Sequence, residues 1–221
     1  MIGPVFDFGW VLDNSGEIIS RTLQHVWLTL IAVGIGFLIS FPLGVYSHRH
    51  RRAYGIVAGV SGLLYTIPSL ALFAFLLPLT GLSTTTAEIG LISYTLLILI
   101  RNIVAGLDGV PADVREAARG MGYTERQILW RVDLPLALPV IVAGIRIAVV
   151  TTIGLVTITA LIGQGGLGYF IKQGLDRFYG PAIITGVVLS VVLAVAFDRL
   201  IILSERVLSP WAKSAAVRSA G

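Results

Sequence analysis

Residues 110–135 read VPADVREAARGMGYTERQILWRVDLP, a polar stretch between apolar runs that are long enough to cross a bilayer. Pro111 suits the first turn of a helix, where its missing N–H costs nothing. Gly122 is expected to end that helix as a left-handed cap. A second helix is expected to begin at Thr124, because Gln127 completes a capping box three residues later. The stretch therefore predicts a helix–glycine–helix elbow outside the membrane.

The composition is that of a membrane protein. Hydrophobic residues make up 56% of the chain and charged residues 13%, and the mean hydropathy is +0.89. A soluble domain averages about 25% charged residues. The chain has no cysteine, which excludes disulfides, a thiolate nucleophile and a cysteine-ligated metal. We therefore expect a single all-α polytopic membrane domain over residues 1–221, with no cofactor and no metal.

Five membrane spans follow from the hydropathy pattern. They lie at about residues 26–46, 55–77, 84–104, 138–162 and 181–203, and a loop at 108–137 joins the third span to the fourth. The glycines Gly34, Gly36 and Gly44 are expected to let neighbouring helices approach the first span closely. The second span is expected to be broken at Pro68 and Pro78.

Two segments fit this pattern less simply. The unbroken apolar part of the third span, residues 89–100, is too short to cross a bilayer alone. The span must extend outward through residues 84–87 or inward past Arg101, which would snorkel. The first segment, Met1–Ser20, lacks the pattern of a secretory signal and is expected to lie at the membrane surface.

The positive charges predict the orientation of the chain. With an external N-terminus, only Arg21, Lys172 and Arg177 of the 16 Lys and Arg residues lie outside. The acidic residues show no matching bias, with five of 12 outside. Membrane insertion produces a bias of this kind in Lys and Arg alone. The loop at 108–137 and the C-terminal tail are therefore expected in the cytoplasm, and this distribution of charge argues against nucleic-acid binding despite the net charge of +4.

Part of the elbow resembles the EAA loop of the membrane subunits of ABC importers. The resemblance is carried by Glu116-Ala117-Ala118, by Gly122 and by Leu134-Pro135, which is also expected to end the second helix. Val132 stands where isoleucine is usual, and Tyr123 where a small residue is common. The resemblance implies that the elbow docks on a cytoplasmic ATPase subunit. The alternative is an ordinary amphipathic loop helix. The residues implied in ATPase coupling are Arg115, Glu116, Ala117, Ala118, Arg119, Gly122, Leu134 and Pro135.

The order and number of spans are similar to the five-span core of type I ABC importer permeases. Within that superfamily, Tyr65–Phe73 and Gly163–Gly168 look most like permeases for osmoprotectants such as glycine betaine, carnitine or choline. Methionine or other amino-acid permeases are the alternative. The resemblance implies four kinds of partner: ATPase subunits, a second permease copy or paralogue, an external substrate-binding protein and membrane lipid. It also implies that the chain is not itself an enzyme.

Several residues are candidates for the translocation path and for the external contact. A break at Pro68 would free carbonyls that Ser69 or water could satisfy, and it either lines the path or is a packing kink. Thr152 and Thr159 share a helix face and either line the path or bond back to the backbone. Ser61 either packs or lines the path. The external turn either contacts the binding protein or only joins two spans. Its candidate contact residues are Gly163, Gln164, Gly165 and Gly166.

Other short motifs suggest different functions, and the sequence supports these interpretations less well. Gly163–Gly168 matches a dinucleotide fingerprint, but the apolar run before it is far longer than a strand. Ser61 lies in a Gly-x-Ser-Gly motif found in intramembrane proteases, yet no histidine follows it to act as a base. His48 and His50 could bind a metal, although the arginines around them favour a role as lipid-facing charge. Neither lysine follows a glycine, so the chain has no Walker A loop.

A stand-alone secondary transporter is the rival class of function. It would need ionisable residues within the membrane for ion coupling. The candidates Arg146, Asp198 and Arg199 all fall near the predicted inner ends of spans. Arg101 and Asn102 could pair with Asp108 or with lipid phosphate, and snorkelling is the favoured reading.

Overall fold

The computed structural model describes residues 7–208, and of the last three of these only the backbone. The tail charges Lys213 and Arg218, like the start of the N-terminal segment, lie outside the described residues. No strand occurs in the part of the chain that is described. The helices are α1 (Phe8–Asp13), α2 (Ser15–Arg49), α3 (Arg51–Thr66), α4 (Ser69–Thr80), α5 (Thr84–Asp108), α6 (Ala112–Gly120), α7 (Glu125–Ile128), α8 (Leu134–Ile158), α9 (Gly168–Arg177) and α10 (Gly180–Leu208).

The described chain has five candidate membrane spans. Four of them are long apolar helices, at Ser15–Arg49, Thr84–Asp108, Glu125–Ile162 and Gly180–Glu205. The fifth is the pair α3 and α4, whose axes meet at 94° across a short break. The all-α prediction is confirmed, and the described helices fit five spans when this bent pair is counted as one. Of the segment expected at the membrane surface, Ser15–Ser20 form the first turns of α2, and their location relative to the membrane stays a prediction.

The core is built around α2 and α5. Gly36 of α2 faces Thr95, and Gly44 faces Ile103 so closely that a Cβ there would lie 2.6 Å from the isoleucine. Small residues at these two positions therefore let the helices approach, as predicted. Gly34 differs from them, because a Cβ there would meet no atom of the chain.

The third span extends in both directions from its apolar centre. Helix α5 begins at Thr84, where the Ser83 hydroxyl accepts a hydrogen bond from the Thr86 N–H at 3.2 Å, and it continues to Asp108. Its 25 residues give a length of about 38 Å, which is enough to cross the hydrocarbon core. Sequence reasoning treated outward and inward extension as alternatives, and the structure uses both.

The second span is broken at one proline only. The break lies at Ile67 and Pro68, between the end of α3 and the start of α4. The hydroxyl of Tyr94 on α5 donates a hydrogen bond to the Ile67 carbonyl. Pro78 lies inside α4, contrary to prediction. Because α4 ends two residues later, this proline removes one backbone bond near the helix end and causes no break.

The fourth span begins in the elbow itself. After α7, residues Leu129–Asp133 form a π-helical turn that leads directly into α8. The prediction that Leu134-Pro135 ends the second elbow helix is therefore wrong. Within this wider turn the Leu134 N–H donates to the Leu129 carbonyl. Pro135 follows in the first turn of α8, where a residue without an N–H is tolerated.

Candidate functional sites at the two ends of the bundle

The elbow has the two helix caps that the sequence predicts. Gly122 has φ 81°, and its N–H donates to the Arg119 carbonyl at 2.9 Å. The Tyr123 N–H donates to the Ala118 carbonyl at 3.1 Å, which completes a Schellman motif at the end of α6. At the start of α7, Thr124 and Gln127 form a reciprocal capping box. The end of α6 and the start of α7 are therefore both fixed by hydrogen bonds.

Arg115 ties the elbow to two spans. Its Nε donates to Asp133 Oδ1 at 2.7 Å, in the π-helical turn that precedes α8. One of its Nη groups donates to the Leu107 carbonyl, at the end of α5, at 2.5 Å. Asp133 is buried, and Ala118 is only 1% exposed. Arg115 and Ala118, both predicted coupling residues, therefore make their contacts within the chain, and their part in coupling stays a prediction.

The other predicted coupling residues differ in exposure. Glu116, Ala117, Arg119 and Gly122 are exposed at the elbow end of the bundle, the end at which α6 and α7 lie. Leu134 and Pro135 are half-buried. Of the predicted coupling residues, a partner could therefore reach those of α6 and its cap most readily.

A second group of charges joins the start of α3 to the end of α5. Asp108 accepts from His48 Nδ1 at 2.5 Å and from Arg51 at 2.6 Å. His48 is thus a partner of Asp108 and not a lipid-facing charge. His50 stacks on the ring of Tyr46, with centroids 4.4 Å apart. Among the described residues, no group of three or more His, Asp or Glu side chains could hold a metal ion.

At the opposite end, His25 anchors the glycine-rich turn. Its Nε2 is 3.0 Å from the Ile153 carbonyl, and its Nδ1 accepts from the Leu167 N–H at 3.3 Å. This arrangement requires the neutral ring with hydrogen on Nε2. A Cβ on Gly166 would lie 2.7 Å from that of His25. Sequence reasoning missed His25, whose only signal was a histidine among apolar residues.

The four predicted external contact residues separate into two pairs. Gly165 and Gly166 are buried, and both have positive φ. Gly163 is exposed and Gln164 is half-buried. These last two residues help to line a surface cavity of about 340 Å³, together with Arg21, Ala160, Leu161, Tyr169 and Lys172. This end of the bundle is called the loop end below.

The predicted path residues lie in two environments. Ser61, Thr152 and Thr159 are at most 5% exposed and point into the chain. Thr159 donates to the Val156 carbonyl at 2.7 Å and accepts from the Gly165 N–H at 2.8 Å, so the backbone-bonding alternative holds for it. Pro68 is exposed and Ser69 half-buried at the break of the second span. The carbonyl freed there is satisfied by Tyr94, a residue that the sequence did not single out.

Two charged residues inside the spans form a pair that sequence reasoning did not foresee. Arg146 Nε on α8 donates to Asp198 Oδ1 on α10 at 2.8 Å. The signal was available, because these are opposite charges in two different spans. By contrast, Asn102 donates to the Ile98 carbonyl of its own helix, and Arg101 is exposed.

The histidines bear on the protease alternative. His25 is occupied by the glycine-rich turn, His48 by Asp108 and His50 by Tyr46. Each ring has its partner away from Ser61, which is itself buried in α3. The structure therefore brings no histidine to this serine.

Comparison with known proteins gives a consistent family. Residues 32–212 match the family model described as "Binding-protein-dependent transport system inner membrane component". The chain is 41% identical over 206 residues to the osmoprotectant import permease protein OsmW of Salmonella typhimurium, covering 91% of this chain and 96% of the relative. It is 39% identical over 197 residues to the choline transport system permease protein OpuBB of Bacillus subtilis, covering 89% and 91%.

The fold has a counterpart among solved structures. An inward-facing crystal structure of the MetNI methionine ABC transporter matches with a TM-score of 0.78 over 89% of this chain and 98% of that chain. The sequence identity is 24%, so this match bears on the fold alone. It agrees with the five-span arrangement of helices described above.

Proposed function

The chain belongs to the family of binding-protein-dependent transport system inner membrane components, and on that premise we propose that it is the permease of an osmoprotectant importer. The family places it among the multi-pass permeases of the inner membrane. Within the importer, we assign to the elbow the coupling to an ATPase, and to the spans the path for a small quaternary amine.

The clamp made by Arg115 is the observation that supports coupling through the elbow. The elbow can transmit motion only if it is rigid and attached to the spans that it moves. The Arg115 side chain joins α6 to the end of α5 and, through Asp133, to the start of α8. A push on the exposed face of α6 would therefore reach two spans at once.

The partners follow from the family and from what the chain lacks. Binding-protein-dependent transport requires a substrate-binding protein and a source of energy. Neither lysine of the sequence follows a glycine as in a Walker A loop, so we expect a separate subunit to hydrolyse ATP. We further propose that a second permease copy or paralogue completes the path and that lipid surrounds the assembly.

The names of the relatives support the choice of solute. One is named for osmoprotectant import, one for choline transport, and a third, OpuCB of Bacillus subtilis, for glycine betaine, carnitine and choline transport. The identities lie between 37% and 41%, and each covers at least 89% of this chain. These solutes share a quaternary ammonium group. We therefore propose a quaternary amine as the solute.

Coupling can be tested at Ala117, which is exposed on α6 and points away from the Arg115 clamp. Ala117→Trp should abolish ATP-driven uptake and co-purification of the ATPase, because the large ring blocks close approach. Ala117→Ser, of nearly unchanged size, is the matched control and should keep both. The protein should still insert and unfold at the wild-type temperature in both variants. Normal uptake by Ala117→Trp would contradict docking at this face.

The solute can be tested by uptake of radiolabelled glycine betaine, choline and methionine. The assay uses cells that make this chain with its neighbouring ATPase and binding protein. Uptake of betaine or choline, competed by excess unlabelled solute, is the expected result. Methionine uptake alone would refute the osmoprotectant assignment, while the permease assignment from the family would stand.

A further inference from the structure

One face of α8 is left uncovered by the rest of the described chain. Its residues follow one another at helical spacing, and all are exposed or half-exposed. A Cβ at Gly154 in this face would meet no atom within 4 Å. The Thr157 hydroxyl donates to the Gly154 carbonyl at 2.7 Å. We call this face the α8 stripe; it consists of Ala143, Ile147, Val150, Thr151, Gly154 and Thr157.

The stripe leads to the Arg146–Asp198 pair. A cavity of about 360 Å³ is lined by Arg146 and Asp198 together with four residues of the stripe, from Ala143 to Thr151. Both charged side chains remain partly open, with 31% of Arg146 and 28% of Asp198 exposed. The pair is therefore accessible from outside the chain and does not lie within the core.

The pair lies inside the predicted bounds of two spans, 138–162 and 181–203, toward their inner ends. Arg146 is eight residues beyond the predicted start of its span at 138, a rise of about 12 Å. Asp198 is five residues before the predicted end of its span at 203, a rise of about 8 Å. The bond between Arg146 Nε and Asp198 also holds the guanidinium at this depth, so it does not snorkel to the headgroups.

An ion pair at this depth does not face lipid hydrocarbon. Ionisable residues in spans face a bundle interior or a water-filled cavity, because hydrocarbon does not solvate charge. The uncovered face of α2 shows the contrast. Between residues 23 and 42 its exposed residues are all apolar, as expected for a face in contact with lipid. They include Leu23, Trp27, Leu30, Ile35 and Leu38.

We propose that the Arg146–Asp198 pair is the charged binding site of the solute path, that the path runs along the α8 stripe, and that the pair receives a zwitterionic small solute. This proposal rests on the proposed function. Arg146 binds Asp198 through Nε, and a solute carboxylate would bind the Nη groups on the same guanidinium. A quaternary ammonium has no N–H to donate, so Asp198 attracts it by charge alone. The buried hydroxyls of Thr152 and Thr159 do not reach this face.

Water access to the stripe gives the first test. This chain has no cysteine, so an introduced cysteine is the only one in it, and labelling is read on this subunit of the assembled transporter. Val150→Cys and Gly154→Cys should react with a membrane-impermeant charged thiol reagent, because a thiolate forms only where water reaches. Leu30→Cys is the control and should stay unreacted. It is exposed at the same level of the bundle, since the nearby Val33 packs against Val149 and Ile153.

Charge variants give the second test, in which betaine and choline are compared because only betaine carries a carboxylate. Arg146→Gln should lower the ratio of betaine to choline uptake about tenfold, the worth of one charge-assisted hydrogen bond. Asp198→Asn should lower both uptakes. The charge-swapped double variant R146D/D198R restores an ion pair, yet it should not restore betaine uptake, because the two charges then stand in reversed positions.

The outcomes separate this inference from the proposed function. Unreactive cysteines at both stripe positions, or full betaine uptake by the charge-swapped variant, would overturn the site. A wild-type transporter that moves neither betaine nor choline would remove the quaternary-amine assignment. In that case reactive stripe cysteines would still support the path along α8.

Discussion

Arg115 and Arg119 lie one turn apart on α6, and each binds one carboxylate. Their surroundings differ. The Arg115–Asp133 pair is 19% and 9% exposed, and Arg115 also binds the Leu107 carbonyl. The Arg119–Glu125 pair is 54% and 66% exposed. Breaking a buried pair strands a charge away from water, whereas breaking an exposed pair returns both groups to solvent.

This contrast predicts unequal effects of two alanine substitutions. Arg115→Ala should lower the free energy of unfolding by about 3 kcal/mol, because Asp133 loses its partner. Arg119→Ala should change it by less than about 1 kcal/mol. Denaturant unfolding of the detergent-purified protein measures both. Equal losses in the two variants would show that Arg115 does not clamp the elbow.

Residues with a local role were predictable from the sequence, and residues with a distant partner were not. The cap at Gly122 and the capping box at Thr124 depend on neighbours within five residues, so spacing alone reveals them. The partner of Arg115 lies 18 residues away, and the two contacts of His25 lie 128 and 142 residues away. Spacing carries no information about such pairs.

Among the helices, the broken span shows how a neighbour completes what a proline opens. The chain cannot continue the helix through Ile67 and Pro68, so the Ile67 carbonyl loses its helical partner. The Tyr94 hydroxyl takes the place of that partner. The sequence predicted the break and the unpaired carbonyl, but it suggested Ser69 or water as the donor. The donor lies on another span, which only the folded chain brings close.

Removing the Tyr94 hydroxyl should therefore loosen the break. Tyr94→Phe leaves the ring in place and the Ile67 carbonyl unpaired, which should cost about 1–3 kcal/mol of unfolding free energy. Tyr65→Phe is the matched control. Tyr65 is 40% exposed and packs edge to face on Tyr94, with ring centroids 5.8 Å apart. A smaller loss for Tyr94→Phe than for Tyr65→Phe, measured by denaturant unfolding, would refute this role.

Pro135 and Pro78 show why helix ends are harder to predict than helix caps. Each was expected to stop a helix, and neither does. Proline cannot donate a backbone hydrogen bond. Its effect depends on whether the helix needs a donor at that position. A π-helical turn before Pro135 and a helix end soon after Pro78 both let the helix tolerate the missing hydrogen bond. These features belong to the whole segment and are not visible in a dipeptide.

At the scale of the molecule, the elbow end is held together by charge and the loop end by close packing. Asp108 and Arg115 join α3, α5 and α6 through ion pairs and hydrogen bonds at the elbow end. At the loop end, Gly166 and Gly168 let the turn pack directly on α2 and α8. Charged groups at the elbow end would be hydrated, and a docking partner would displace that water. This suits the elbow end to the docking of an ATPase.

The five spans lead to one prediction that bears on every functional proposal. One span, built on α8, separates the elbow from α9 and so places them on opposite sides of the membrane, and the Lys and Arg bias places the elbow in the cytoplasm. Met121 is 68% exposed in the elbow, and Leu175 is 59% exposed on α9. In intact cells, an impermeant thiol reagent should label Leu175→Cys and not Met121→Cys; in inside-out vesicles the labelling should reverse. Labelling of Met121→Cys in intact cells would place the elbow out of reach of any cytoplasmic ATPase, and coupling through α6 would then be impossible.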